Sequence, residues 1–113
     1  MDIRDFLMEL LPSLARLELV RDIDLRVESV TVSGRIFLEG SAFLEIYYNE
    51  VTGTIAFALI EGGRRVWGID RDNIRGWHRH PPSEPSSHLE ISPLSISEIV
   101  AELAEVLKRK GDG

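Results

Sequence analysis

Between residues 20 and 70, short runs of alternating apolar and polar residues are separated by pairs and triplets of turn-forming residues. Ile23, Leu25 and Val27 alternate with charged residues, and this period of two is typical of a half-buried strand. The alternation slips between Val27 and Val30, where we expect a bulge. Because connections this short join neighbouring antiparallel strands, the segment predicts an antiparallel meander of about five strands.

Turn signals set the expected strand boundaries. The sequences SG at 33–34, EGS at 39–41 and EGG at 61–63 predict hairpin turns, and NEVTG at 49–53 predicts a loop. The last predicted strand is RRVWGID, at residues 64–70. The sheet is therefore expected to occupy residues 20–70.

A helix is predicted at each end of the chain. Residues 2–17 carry apolar side chains at helical spacing, Asp2 caps the start, and Pro12 predicts a break or a new first turn. Residues 95–110 begin with the capping box SISE and continue with an apolar stripe. One sheet face is the only large apolar surface on which these stripes can pack. The fold class expected is therefore α+β, with both helices packed on an antiparallel sheet.

The composition is that of one globular domain spanning residues 1–113. The chain is 43% hydrophobic and 28% charged, and its length suffices for a single core. No apolar run reaches the roughly 18 residues that span a bilayer. The first residues lack the pattern of a signal peptide, and we expect a cytoplasmic protein.

The absence of cysteine excludes disulfides, thiolate metal sites and cysteine nucleophiles. We expect no cofactor and no resident metal. Glutamine is also absent, and such depletion of thermolabile residues is typical of hot-living organisms. The net charge of −6 argues against unspecific coating of nucleic acid or anionic membranes, although five arginines between residues 64 and 79 form one basic stretch.

Residues 71–94 hold all three histidines and are predicted to form a long polar loop, because prolines, serines and glycine disfavour regular structure there. Loops of this length in small domains are commonly functional or disordered. His78 and His80 are two residues apart and share one side of an extended segment. With His88 returning from the loop they resemble a zinc-type ligand set, which is one hypothesis.

A second hypothesis is acid–base chemistry on a phosphate ester. His78 and His80 would act as base and acid, and Asp72 would orient an imidazole. Neighbouring arginines would bind the phosphate. The residues expected to contact the substrate are Arg71, Asn73, Arg75, Trp77, Arg79 and His88. A third, structural hypothesis gives Asp72 and Asn73 the role of closing a turn and the histidines no chemistry.

The order of elements and several short motifs resemble the TumE family, small proteins assigned as toxins of bacterial and archaeal toxin–antitoxin pairs. The segment RIFLEGSAFLEIYY, residues 35–48, is similar to a family stretch that contains L-x-G-S. RDN, residues 71–73, is similar to the strand-ending R-x-D-N, although Arg71 here directly precedes Asp72. A histidine-bearing loop and a terminal helix follow, as in the family.

This resemblance implies a toxin component, with His78, His80 and His88 matched to the loop histidines and an RNA-directed target. The candidate partners are a cognate antitoxin protein, RNA and a second copy of the chain, and no membrane partner is expected. Two other functions stay open. One is a non-catalytic interaction domain that binds through its sheet face or helix stripe, and the other is a histidine-ligated metal-binding protein.

Overall fold

The computed structural model describes residues 1–112, with the backbone alone for the last two of these. A seven-stranded antiparallel sheet has its strands in chain order, with one helix before it and one helix after it in the sequence. The helices are α1 (Ile3–Ala15) and α2 (Ile96–Asp112). The strands are β1 (Val20–Glu28), β2 (Thr31–Leu38), β3 (Phe43–Asn49), β4 (Ile55–Glu61), β5 (Arg64–Asp72), β6 (Gly76–His80) and β7 (Leu89–Glu90). The α+β class and the two terminal helices are confirmed.

The prediction of about five strands was wrong, because the segment predicted as a loop contains β6 and β7. The residues of β6 read GWHRH, and their alternating burial shows the period of two that a strand requires. The prolines and serines that suggested irregular structure lie mainly between β6 and β7. They therefore indicate an irregular connection at residues 81–88 and not an irregular segment from 71 to 94.

The turn predicted at residues 33–34 was also wrong. The β1–β2 connection is the pair Ser29 and Val30, and Ser29 adopts a positive φ of 53°. Gly34 lies inside β2, where an added Cβ would stand 2.0 Å from the Asp24 carbonyl oxygen of β1. Gly34 therefore allows β1 and β2 to approach closely. In the sequence, a glycine with this role cannot be distinguished from a glycine in a turn.

The expected bulge between Val27 and Val30 is likewise not present, since the slip in alternation is the hairpin turn itself. The register of β1 against β2 shifts instead at the start of β1, between Val20 and Asp22.

Both predicted helix caps are confirmed. The Asp2 carboxylate accepts a hydrogen bond from the Asp5 N–H at 2.8 Å. At α2, Ser95 Oγ accepts from the Glu98 N–H at 3.1 Å while the Ser95 N–H donates to the Glu98 carboxylate at 2.9 Å.

No helix within residues 1–112 is long and apolar enough to cross a membrane.

The break predicted at Pro12 does not occur, and α1 continues to Ala15. Pro12 lies on the exposed side of α1, where water can satisfy the carbonyl group that its missing N–H leaves unpaired.

The helices cover one side of the sheet, which we call the helix face. Phe6 of α1 stacks on Tyr48 of β3 with ring centroids 4.4 Å apart, and Trp67 of β5 donates its indole N–H to Glu102 of α2 at 2.9 Å. Phe57, at the centre of β4, is fully buried between them. Most of the apolar core lies between this face and the helices.

The opposite side, the back face, carries the alternate residues of each strand. Residues directly opposite each other in an antiparallel pair share a face. The row through Ala58, Gly68 and His80 and the row through Ala56, Asp70 and His78 therefore both lie on the back face. Neither α1 nor α2 covers it, so polar side chains can be placed there.

The capping box predicts a specific pH dependence. Hydrogen bonds from Ser95 lower the pKa of Glu98 below its usual value of 4.5. A carboxylate with a lowered pKa stabilises the fold above its unfolded-state pKa and loses that contribution as the pH falls through the folded-state value. Denaturant unfolding of Glu98→Gln should show a loss of stability at pH 7 that vanishes at acid pH.

The matched control for this prediction is Glu105→Gln, which removes the same charge from an exposed position in the middle of α2. Its difference from the wild type should vary less with pH. An equal stability difference at pH 7 and pH 3 for Glu98→Gln would contradict the role of the charged cap.

Candidate functional site

The register of β5 against β6 brings an acid and two histidines together. Asp70 is paired with His78, and Gly68 is paired with His80. The strands are joined by a tight turn, so the pairs follow directly from the turn position. All four positions lie on the back face.

The segment 81–88 completes the cluster. Two successive turns, in which the Glu84 N–H donates to the Pro81 carbonyl and the Ser87 N–H to the Glu84 carbonyl, fold it over the back face. The His88 ring then lies 4.5 Å from the His80 ring and 5.2 Å from the His78 ring, centroid to centroid. The predicted convergence of the three imidazoles is therefore present.

A single carboxylate oxygen stands between the two buried imidazoles. Asp70 Oδ2 lies 2.9 Å from His80 Nε2 and 3.3 Å from His78 Nε2. The ligand atoms of these three residues lie within 4.8 Å of one another. Two atoms that each bind zinc at about 2.0–2.1 Å stand about 2.9 Å apart at a right angle and about 3.4 Å apart at a tetrahedral angle. The two distances from Asp70 Oδ2 match that range.

The outer nitrogen atoms of both rings face backbone carbonyl groups. His78 Nδ1 lies 3.4 Å from the Gly76 oxygen, and His80 Nδ1 lies 3.2 Å from the Pro85 oxygen. A carbonyl oxygen only accepts, so both contacts are hydrogen bonds in the tautomer that carries hydrogen on Nδ1. In that tautomer Nε2 of each ring directs a lone pair toward Asp70. Metal-binding histidines are commonly oriented by such a carbonyl contact.

With hydrogen on both Nδ1 atoms, three acceptors face one another, whereas with hydrogen on Nε2 the His80 ring donates to Asp70 Oδ2 at 2.9 Å. His78 Nε2 makes no hydrogen bond of acceptable geometry to any described residue, despite its short distance to Asp70. His78 and His80 are only 3% and 1% exposed, so a ring nitrogen left without a partner there is costly. A divalent cation would satisfy all three acceptors at once.

Gly68 provides the space that the His80 ring occupies. An added Cβ there would stand 3.0 Å from the Phe57 carbonyl oxygen, 3.3 Å from Arg65 Cδ and 3.4 Å from His80 Cδ2. The glycine thus lets His80 and Arg65 lie side by side over β5.

The exposed His88 ring lies in a positive environment. Its pKa is lowered from the usual 6.5, first by the water it loses on packing and then by His80, His78, Arg75 and Arg65. The neutral form, which has a free lone pair, is therefore favoured.

Asp72, the carboxylate predicted to orient an imidazole, instead closes the β5–β6 turn. It accepts hydrogen bonds from the N–H groups of Ile74 and Arg75 at 2.9 and 2.7 Å and forms an ion pair with the Arg75 guanidinium at 3.0 Å. The backbone hydrogen bond from Arg75 is the main cause that lowers the pKa of Asp72. Asn73 is exposed in the same turn.

Three residues predicted to bind substrate lie on the helix face, away from the histidines. Arg71 donates to the carbonyl groups of Thr52 and Gly53, at 3.2 and 3.0 Å. Trp77 packs against the core, and Arg79 forms a two-pronged ion pair with Glu102 at 2.8 and 2.6 Å. Since the odd-numbered residues from Trp67 to Arg79 in β5 and β6 face the helices, these side chains and the imidazoles do not converge.

A cavity of about 750 Å³ also lies on the helix side of the molecule, where Trp67, Arg79 and Glu102 line it together with Pro81 and Pro82. Its central polar groups are already paired with one another. This cavity and the histidine cluster are therefore separate features.

Two members of the cluster's surroundings were absent from the predicted site, namely Asp70 and Arg65. Asp70 could have been identified from the sequence if β6 had been recognised as a strand. A tight turn at residues 73–75 then pairs Asp70 with His78. Arg65 comes close through the irregular register between Leu59 and Ile60, for which the sequence offers no signal.

Comparisons with models of known families, with curated proteins and with solved structures found no match. The resemblance to the TumE family accordingly stays a prediction.

Proposed function

We propose that this protein binds a divalent transition-metal ion of the zinc class through Asp70, His78 and His80. The observation that supports the proposal is the convergence of one carboxylate oxygen and two imidazole nitrogen atoms, of which His78 Nε2 has no hydrogen-bond partner among the described residues. Nitrogen and oxygen ligands without thiolate suit Zn²⁺ and its neighbours in the first transition series.

His88 determines what kind of site this is. Three protein ligands leave a coordination position for water or substrate, as in catalytic zinc sites, whereas four ligands close the site. The His88 ring lies beside both buried rings on the solvent side. We propose that it is the fourth ligand, contributed by the segment 81–88, which makes it the exchangeable member of the set.

Zinc titration of metal-free protein tests this proposal. We expect one equivalent to bind, and Asp70→Asn or His78→Ala to weaken binding at least about 100-fold, because even outer contacts of a metal site contribute 10–100-fold. His88→Ala should weaken it less. At zinc concentrations about 100 times Kd, the wild-type Tm should rise by more than about 10 °C.

Asp72→Asn is the matched control, since it makes the same change two residues away on the same face of β5 and its amide oxygen can still accept the hydrogen bonds that close the turn. It should retain wild-type zinc affinity. Absence of zinc binding by the wild type, or an equal loss of affinity in Asp70→Asn and Asp72→Asn, would contradict the proposal.

A second proposal follows from the resemblance, namely an RNA-directed toxin. The observation that favours it is the pair of imidazoles on Asp70 with Arg65 and Arg75 near the exposed His88. An acid, a base and positive charge near a phosphate are the groups that RNA cleavage through the ribose hydroxyl requires. In this proposal Asp70 orients the imidazoles, the role that was predicted for Asp72.

Expression of the chain in a bacterial host, with assay of growth and of cellular RNA, tests the toxin proposal. Growth arrest and RNA cleavage should be lost in His78→Ala and His80→Ala and retained in Arg109→Ala, a change at an exposed arginine of α2. Toxicity that persists in both histidine variants would exclude the histidine mechanism. RNA cleavage that persists in the presence of a chelator would show that the reaction does not require a metal ion.

A further inference from the structure

The first strand of the sheet has a long open edge. β1 is nine residues long and has only β2 beside it, whereas β7 at the other edge has two residues. Unpaired edge strands offer rows of free N–H and C=O groups to other chains. Ile23 and Val27 of β1 are 42% and 53% exposed on the helix face, beyond the cover that the helices give β2 to β5.

The free backbone groups of β1 belong to its apolar residues. Glu28 and Thr31 close a two-residue turn, so they form a hydrogen-bonded pair, and such pairs alternate along an antiparallel ladder. Ile23, Leu25 and Val27 therefore direct their N–H and C=O groups away from β2. In agreement, the Ile23 N–H is held by the Asp22 side chain, at 2.9 Å.

We propose that β1 pairs with β1 of a second copy of this chain, antiparallel, with the two-fold axis at Leu25. In this register Ile23 lies opposite the partner's Val27, and Leu25 lies opposite the partner's Leu25, which extends the apolar row. On the back face Asp24 lies opposite the partner's Arg26, twice by symmetry. Each such cross-strand pair of opposite charge stabilises the interface.

Charge disfavours two neighbouring registers. An axis at Arg26 would place Arg26 against its own copy and Asp24 against the partner's Glu28, and an axis at Ile23 would place Asp24 against the partner's Asp22, which is unfavourable across strands. An axis at Asp24 keeps Arg26 opposite the partner's Asp22 but sets the two Asp24 residues against each other and removes the contact between the two Leu25 side chains. Even in the chosen register Asp22 faces the partner's Glu28, so the pairing is confined to residues 23–27.

The dimer forms one continuous sheet, with both histidine clusters on its back face and far from the shared edge. Dimerisation is therefore independent of metal binding and of toxicity.

Sedimentation equilibrium over a range of protein concentrations tests the proposal. Asp24→Arg and Arg26→Asp should each weaken dimerisation about tenfold or more, because both charged pairs become repulsive. The double variant Asp24→Arg/Arg26→Asp should recover the dimer. An equimolar mixture of the two single variants should form a heterodimer, because their charges are complementary.

Asp22→Arg is the matched control on the same strand. It makes the same change in charge but faces the partner's Glu28 and releases the Ile23 N–H, so it should strengthen the dimer. Circular dichroism melts establish that each variant is folded. A wild type that stays monomeric at about 1 mM, which is weaker than about −4 kcal/mol of association, would overturn the proposal. So would a double variant as weak as the single ones.

Discussion

The cross-strand register between β5 and β6 is the constraint on which the site depends. It places Asp70 opposite His78 and Gly68 opposite His80, so that one carboxylate oxygen meets two imidazoles. A shift of one residue would turn every side chain of β6 to the other face. Asp72 fixes this register by holding the backbone N–H groups of the turn. The turn residue therefore acts on the site through geometry and not through contact.

Alternation along the strands separates two kinds of polar chemistry. On the helix face, Arg79 and Trp67 share the carboxylate of Glu102 and bind α2 to the sheet. Each of these groups has a partner, which is what burial against a core demands. On the back face, His78 and His80 are buried by a loop and keep inner nitrogen atoms that point at an acceptor. His78 Nε2, which has no hydrogen-bond partner among the described residues, is where a ligand is expected.

Local signals in the sequence predicted much of this fold. The caps at Asp2 and at Ser95 with Glu98, and the existence of strand β1, depend on neighbouring residues alone and were confirmed, although Ile23 and Val27 of β1 are exposed and not half-buried. Gly34 was misread as a turn, since only the approach of a neighbouring strand distinguishes the two uses of glycine. The sequence therefore described elements well and contacts between elements poorly.

The same limit applies to the site. The three histidines were predicted to converge, and they do. The arginine and tryptophan positions were grouped with them by proximity in sequence, although alternate residues of a strand point to opposite faces. The partner of the imidazoles was missed because Asp70 is distant in sequence and becomes adjacent only through strand pairing.

Nitrogen-15 NMR of the histidine rings tests the central claim most directly. It reports the protonation of each ring nitrogen before and after one equivalent of Zn²⁺ is added. The account predicts that His78 and His80 carry hydrogen on Nδ1 and that zinc shifts both Nε2 resonances together while Nδ1–H is kept. Rings protonated at both nitrogen atoms and unmoved by zinc would contradict it, because the three acceptors would then be satisfied by protons alone.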